Sequence, residues 1–158
     1  MRFFIELSYK GTNYHGWQVQ PNANTVQAEI NKALSLILNA KIEVSGAGRT
    51  DAGVHAKQMF AHFDWDKEFD FHTTIIKLNS FLANDIAVRT FFKVKDEVSS
   101  RFDALSRIYH YNIVQKKSPF KKTAYFVHKT LDVKQMNLAC QYLLGKQDFT
   151  SFSKANTQ

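Results

Sequence analysis

The sequence contains a single cysteine, Cys140, among its 158 residues. One cysteine can form no internal disulfide, so the chain is not a disulfide-stabilised secreted domain, and a reducing compartment is expected. No apolar run approaches the roughly 20 residues that a membrane-spanning helix needs. The first residues, Met1–Glu6, have the composition of a strand and not that of a signal peptide. These absences predict a soluble cytoplasmic protein.

The sequence also lacks the common signatures of metal and cofactor sites. Its six histidines show no ligand spacing and Cys140 has no thiol partner, which argues against a metal centre. There is no phosphate-binding loop, no dinucleotide-binding fingerprint and no motif for a serine triad. Cys140 itself is better explained as a core residue than as a nucleophile, because its neighbours place it on an apolar face.

Positive charge is the strongest feature of the composition. Lys and Arg outnumber Asp and Glu by 21 to 14, which gives a formal net charge of +7. Such a balance favours a polyanionic partner such as nucleic acid, through phosphate neutralisation and counterion release. Solvated lysines are the alternative explanation. The hydrophobic content of 44% is sufficient for an ordered core.

The first 95 residues show the periodicity of strand, helix, two strands, helix and strand. The predicted elements are a strand at Arg2–Lys10, a helix capped by Asn24 with Gln27 at the reciprocal position, strands at 42–48 and 56–65, a helix opening at Thr73 or Thr74, and a strand at 86–94. This order predicts an α+β fold, a ferredoxin-like βαββαβ half with an antiparallel sheet and helices on one face. The open face of such a sheet is a common place for RNA to bind.

Residues 96–158 are predicted to begin a second, truncated α/β half. A polar loop leads to a strand at Arg107–Gln115, and a second strand is predicted at Thr123–Lys129. Asp132 is expected to cap a helix that stops at Gly145 and buries Val133, Met136, Cys140 and Leu143. No internal repeat or flexible linker separates the two halves.

The loop Gly46–His55 has the composition of a functional site. Its glycines allow tight turns, and between them the chain presents a cation, a hydroxyl and a carboxylate in succession at Arg49, Thr50 and Asp51. Loops held by rigid strands often carry chemistry. The alternative is an ordinary turn, because Asp-Ala-Gly is common in turns.

Two further sets of residues have a functional and a structural interpretation. Tyr109 and Tyr111 share one face of the predicted strand, as a platform for a nucleobase or as an aromatic pair in the core. Arg101 and Arg107 flank the turn into that strand, as partners for phosphate or carboxylate or as solvated charges. Four lysines between 116 and 122 form a basic turn that is solvated or contacts an RNA backbone.

Five motifs occur in an order that resembles one protein family. They are Tyr9-Lys-Gly-Thr-Asn-Tyr-His-Gly-Trp-Gln18, Thr25-Val-Gln27, Gly46-Ala-Gly-Arg-Thr-Asp-Ala-Gly-Val-His55, Arg101-Phe-Asp-Ala with Arg107-Ile-Tyr-His-Tyr111, and Gly145-Lys-Gln-Asp-Phe-Thr-Ser-Phe152. Together they resemble the tRNA pseudouridine synthase A (TruA) family along essentially the whole chain.

The resemblance implies an isomerase that converts uridine to pseudouridine at positions 38 to 40 of the tRNA anticodon arm. Asp51 matches the essential aspartate, and Arg49 matches the arginine that holds the flipped nucleotide out of the stack. Tyr109 matches the tyrosine that packs against the target base, while Arg101 and Arg107 match basic positions near the cleft. The family uses no metal or organic cofactor and works as homodimers.

Members of the family continue well beyond Phe152 with a second half that completes the sheet and supplies the other wall of the cleft. The leading hypothesis is therefore the catalytic N-terminal portion of a tRNA-uridine isomerase. One alternative is a catalytically incompetent RNA-binding fragment of the same fold. Another is a basic structural or ribosome-associated protein, for which no preference for tRNA over other RNA is expected.

Overall fold

The structure, a computed structural model, describes residues 1–152. Its contacts define two compact units, one formed by Met1–Arg107 and one that starts at Ile108. The first unit contains the predicted first half together with residues 96–107. The predicted domains, 1–95 and 96–158, stay a prediction, and residues 153–158 of the second lie outside the described residues.

The first unit is built on a four-stranded antiparallel sheet. Its strands are β1 (Arg2–Tyr9), β2 (Ser45–Gly46), β3 (Ala56–Asp64) and β4 (Ile86–Val94), and its helices are α1 (Val26–Leu38) and α2 (Phe71–Phe81). The strand order is β2-β3-β1-β4, and every neighbouring pair is antiparallel. The predicted ferredoxin-like order of elements is confirmed. Residues predicted at 42–48 form a strand only at Ser45–Gly46.

The core lies on one face of this sheet. Phe3, Ile5 and Leu7 of β1 alternate with half-exposed residues and are fully buried. The helices cover that face with the apolar stripe predicted for α1, including Ile30 and Leu34, which are also fully buried. Each such side chain contributes about 1.5–3 kcal/mol through its burial. The opposite face carries partly exposed aromatic side chains, so the helices cover a single side of the sheet.

Both helices of the first unit begin at a residue that differs from the predicted one. The hydroxyl of Thr25, not the Asn24 side chain, accepts the Ala28 amide at the start of α1. Asp70 caps α2, so this helix begins before the predicted Thr73 or Thr74. In each case the predicted cap was wrong because several neighbouring residue types can cap, and the backbone path selects one. Asn39 ends α1 in the left-handed conformation, as predicted.

The second unit has little regular structure. It contains β5 (Ile113–Val114), β6 (Tyr125–Phe126) and α3 (Val133–Cys140), and the two strands are parallel. The long strands predicted at 107–115 and 123–129 are reduced to these pairs, because alternation marks a strand only where a neighbouring strand supplies hydrogen bonds. Asp132 caps α3 through the Gln135 amide, as predicted.

The predicted inner face of α3 is not buried in the described structure. Val133, Met136 and Leu143 are 60%, 45% and 46% exposed, and Cys140 is also exposed. Burial of that face was therefore a wrong expectation, since no element within residues 108–152 packs over it. None of the helices in residues 1–152 has the length and apolar character needed to cross a bilayer.

Candidate functional site

The loop between β2 and β3 presents Arg49 and Asp51 to solvent. Both side chains are exposed, and within residues 1–152 neither makes a hydrogen bond or an ion pair. Thr50 between them is held: its hydroxyl lies 2.9 Å from the Tyr9 hydroxyl, and its carbonyl accepts the Trp17 amide at 3.1 Å. The loop therefore combines a fixed backbone with a free carboxylate and a free guanidinium.

The backbone of this loop is also supported from the segment that follows β1. The Gly11 amide donates to Nδ1 of His55 at 2.9 Å, and the Gly53 amide donates to the Tyr14 carbonyl at 3.2 Å. Gly16 has a φ of +84°, and a Cβ there would lie 2.2 Å from the Thr50 carbonyl oxygen. Only glycine allows this approach.

Asp85, the residue just before β4, fixes the supporting segment to the start of that strand. Its carboxylate accepts hydrogen bonds from the Tyr14 hydroxyl at 2.6 Å and from the side-chain amide of Asn13 at 3.2 Å. Its carbonyl accepts one from the backbone amide of Lys10 at 2.8 Å. Burial raises the pKa of the Tyr14 phenol, and the neighbouring Asp85 carboxylate raises it further. Tyr14 thus remains a neutral donor to a charged acceptor, which is the stronger kind of hydrogen bond. No local pattern pointed to a role for Asp85.

Trp17 forms the floor beside the loop. It is only 2% exposed, and its ring centroid lies 6.0 Å from that of Tyr9. A Cβ on Gly46 would come within 2.5 Å of the Trp17 ring. The aromatic-rich stretch from Tyr14 to Gln18 was visible in the sequence, but its role beneath the loop was not predicted.

A small open pocket of about 160 Å³ lies next to this floor. Its lining residues are Trp17, Gln18, Gln27, Ser45, Gly46, Gly48, Arg49 and Arg101. The pocket is smaller than the roughly 300–1,000 Å³ of a typical ligand site, so it can accept one small planar or anionic group. It brings together two predicted site residues, Arg49 and Arg101, which give it positive charge. Asp51 is not part of the lining and lies two residues beyond Arg49.

Arg107 hydrogen-bonds to the backbone of two segments that contribute residues to the pocket. Its Nη2 donates to the carbonyls of Ala47 at 2.7 Å and Arg101 at 2.8 Å. The Arg101 guanidinium lies over the Phe102 ring, 5.3 Å from its centroid, and has no hydrogen-bond acceptor within residues 1–152. One of the two predicted arginines is therefore engaged by the backbone, whereas the other is free to bind an anion.

Tyr109 lies in the second unit, outside β5, and is 78% exposed. Tyr111 is similarly exposed at 76%, with its ring centroid 6.2 Å from that of Tyr125. Neither tyrosine is a core residue of this unit. That the Tyr109 ring packs on a base held at Asp51 stays a prediction. Among residues 1–152, no group of three or more His, Cys, Asp or Glu side chains is arranged to hold a metal ion.

Comparisons with known proteins agree on one family. A family model described as tRNA pseudouridine synthase matches residues 7–103, which contain the loop, its supporting segment and Arg101. The chain is 50% identical to a tRNA pseudouridine synthase A of Bacteroides thetaiotaomicron, over 99% of this chain and 58% of that protein. The proteins of the same name from Parabacteroides distasonis and Vibrio cholerae are 48% and 42% identical, over 99% and 100% of this chain and 63% and 61% of their own lengths. The chain thus spans about three fifths of these curated relatives.

Proposed function

The chain belongs to the tRNA pseudouridine synthase family, and we propose that its protein converts uridine to pseudouridine in the tRNA anticodon arm, at positions 38 to 40. One observation carries the proposal: Asp51 is an exposed and unpaired carboxylate on a loop whose backbone is held from β1 and from the segment after it. A reactive group needs both properties, accessibility to the substrate and a fixed position.

Asp51 is proposed as the catalytic residue. The reaction breaks the bond from ribose C1′ to ring N1, turns the base, and joins C1′ to C5, whose hydrogen is released while N1 gains one. No electrons are gained or lost, so no redox cofactor is required. A carboxylate can attack the sugar or the ring, or abstract a sugar proton. In each path the carboxylate must reach the substrate, and within residues 1–152 the Asp51 side chain is exposed and makes no hydrogen bond or ion pair.

The arginines and Tyr109 are proposed to bind the substrate. A uridine inside a stem must leave its stack, which costs about a few kcal/mol. Arg49, exposed beside Asp51, would occupy the vacated space, and the ring of Tyr109 would stack on the extruded base. Arg101 lines the pocket with Arg49 and would engage phosphate oxygens. Arg107 would contribute to substrate binding by holding the Arg101 backbone.

Partners and location follow from the same proposal. The substrate would be tRNA, attracted by the formal net charge of +7. The protein would act as a homodimer in the cytoplasm, where tRNA is modified, and would need no metal or organic cofactor.

Release of tritium from tRNA labelled at uridine C5 tests the activity, with protein expressed from its whole coding sequence. Asp51→Asn keeps the size of the side chain but removes its charge, and is expected to lower turnover by at least about 10²-fold. Asp66→Asn is the matched control, because Asp66 is also exposed and lies in a bend after β3. Normal turnover of Asp51→Asn would contradict the proposed role.

An RNA-binding module without catalysis is the second candidate, favoured by the two-arginine pocket and the net charge. Such a module would retard tRNA in a gel, with an affinity that falls as salt rises, and would form no pseudouridine. A basic structural protein would show no preference for tRNA over other RNA.

A further inference from the structure

Ser100 is one of the few buried polar residues of the first unit, at 4% exposure. Its hydroxyl donates to the Ser45 carbonyl at 2.9 Å and lies 2.8 Å from Nδ1 of His62. The Ser100 amide lies 3.2 Å from the same Nδ1. Buried polar groups that are fully hydrogen-bonded specify one local arrangement. Ser100 therefore has a defined place against the sheet.

The two partners of Ser100 lie opposite each other in neighbouring strands of the sheet. Ser45 of β2 and His62 of β3 are directly paired residues. Ser100 bonds to both, so its position depends on the β2–β3 pairing. Arg107 makes a second connection nearby, because it donates to the carbonyls of Ala47 and Arg101. The backbone of Arg101 thus lies between two connections to the same stretch of chain.

Arg101 is the residue that this arrangement places at the pocket. Arg101 lines the pocket together with Arg49, and its guanidinium has no hydrogen-bond acceptor within residues 1–152. A long arginine side chain has much rotamer freedom to lose on binding. With no acceptor for its side chain, the position of Arg101 is set largely by its backbone. That backbone is held by the Arg101 amide, which donates to the Ser99 hydroxyl, and by the bonds of Ser100 and Arg107 on either side.

We propose that His62 and Ser100 are positioning residues that hold Arg101 at the pocket for an RNA phosphate. The proposal rests on the proposed function insofar as tRNA supplies that phosphate. His62 and Ser100 touch no substrate in it and act only through Arg101. Arg101 supplies the positive charge, and the hydrogen bonds of Ser100 fix the backbone position from which the Arg101 side chain extends.

A double-mutant cycle tests whether Ser100 acts through Arg101. The dissociation constant for unmodified tRNA is measured by filter binding for the wild-type protein, Ser100→Ala, Arg101→Ala and the double variant. Ser100→Ala is expected to weaken binding about five-fold in the wild-type background, which corresponds to ~1 kcal/mol. In the Arg101→Ala background the same substitution is expected to change binding less than about two-fold. Ser80→Ala, an exposed serine on α2, is the matched control and should bind like the wild type.

His62 provides a second test that does not depend on the folding of Ser100→Ala. An asparagine amide offers both a donor and an acceptor close to the place of Nδ1. His62→Asn is therefore expected to bind tRNA within about two-fold of the wild type, while His62→Ala weakens binding about five-fold. Amide hydrogen exchange at residues 99–103 should accelerate in His62→Ala and Ser100→Ala but not in His62→Asn.

Equal losses in the two Arg101 backgrounds, or unchanged binding by Ser100→Ala, would overturn the positioning role. Absence of tRNA binding by the wild-type protein would overturn it as well. Pseudouridine formation is assayed separately on the same samples. If the effect of Ser100→Ala depends on Arg101 but no pseudouridine forms, only the proposed activity is contradicted. If pseudouridine forms but the effect of Ser100→Ala does not depend on Arg101, only the positioning role is contradicted.

Discussion

The hydroxyl of Tyr9 and the hydroxyl of Thr50 lie 2.9 Å apart, which joins the end of β1 to the residue immediately before Asp51. Tyr9 is almost fully buried, at 4% exposure. Burial raises the pKa of its phenol, and the bond to Thr50 opposes that rise. The pair therefore connects the buried core to the most exposed part of the candidate site, and the position of Asp51 depends on core packing.

Tyr9→Phe tests this connection. Loss of the phenol oxygen leaves the half-buried Thr50 hydroxyl without its partner and should lower the free energy of unfolding by about 1–3 kcal/mol. Because Thr50 precedes Asp51, loss of this bond should also displace the Asp51 carboxylate. Turnover should then fall while the affinity for tRNA stays unchanged. Urea unfolding and the tritium assay measure the two effects. Tyr142→Phe, at an exposed tyrosine of the second unit, is the control; an equally small effect at both positions would contradict the connection.

Gly16→Ala and Gly53→Ala form a matched pair. Both glycines have positive φ, +84° and +80°, but a Cβ at Gly16 meets the Thr50 carbonyl at 2.2 Å and one at Gly53 meets nothing within 4 Å. Gly53→Ala should cost about 1–2 kcal/mol through backbone strain alone. Gly16→Ala should cost a further ~1–3 kcal/mol through the clash. Denaturant unfolding of both variants measures the difference, and equal losses would show that the close approach at Thr50 has no consequence.

The lowered pKa of His62 predicts how the free energy of unfolding depends on pH. Burial first, and then the positive charge of Arg2, lowers the pKa of His62 below its ordinary 6.5, against a weaker opposite effect of Asp64. The unfolded chain therefore binds more protons as the pH falls below about 6.5, and the free energy of unfolding decreases until the pH passes the lower folded pKa. Above about pH 6.5 the stabilisation is fully present.

Urea unfolding of the wild type and His62→Asn between about pH 7.5 and about pH 5 measures this contribution. The decrease in the free energy of unfolding with falling pH should be smaller in the variant, because an amide does not titrate. His72→Asn, at an exposed histidine of α2, should retain it. Asp64 contributes in a separate, more acidic window: Arg2 lowers its pKa from 3.8, so its contribution is lost only as the pH falls below that value. If the free energy of unfolding fell with pH as much in His62→Asn as in the wild type, the proposed contribution of His62 would be contradicted.

Local patterns in the sequence were sufficient for much of the first unit. Alternation in β1 and the 3.6-residue period of α1 specify which side chains face the core, because both depend on neighbours only a few residues away. The loop with Arg49 and Asp51 was recognisable for a similar reason, since its glycines and charged residues are consecutive. Helix starts were less predictable, as Thr25 and Asp70 show, because adjacent residues compete for the cap.

The arrangement of the site was decided by tertiary structure. The approach of Gly16 to Thr50, the contact of Trp17 with Gly46, and the bonds of Ser100 to Ser45 and His62 join residues far apart in the chain. Such contacts depend on strand register and on the path of the segment after β1, and no local pattern encodes either. The order of residues in the chain is enough to specify which reactive groups the loop contains. The exposure of Asp51 and the shared pocket of Arg49 and Arg101 result from the packing of distant segments against that loop.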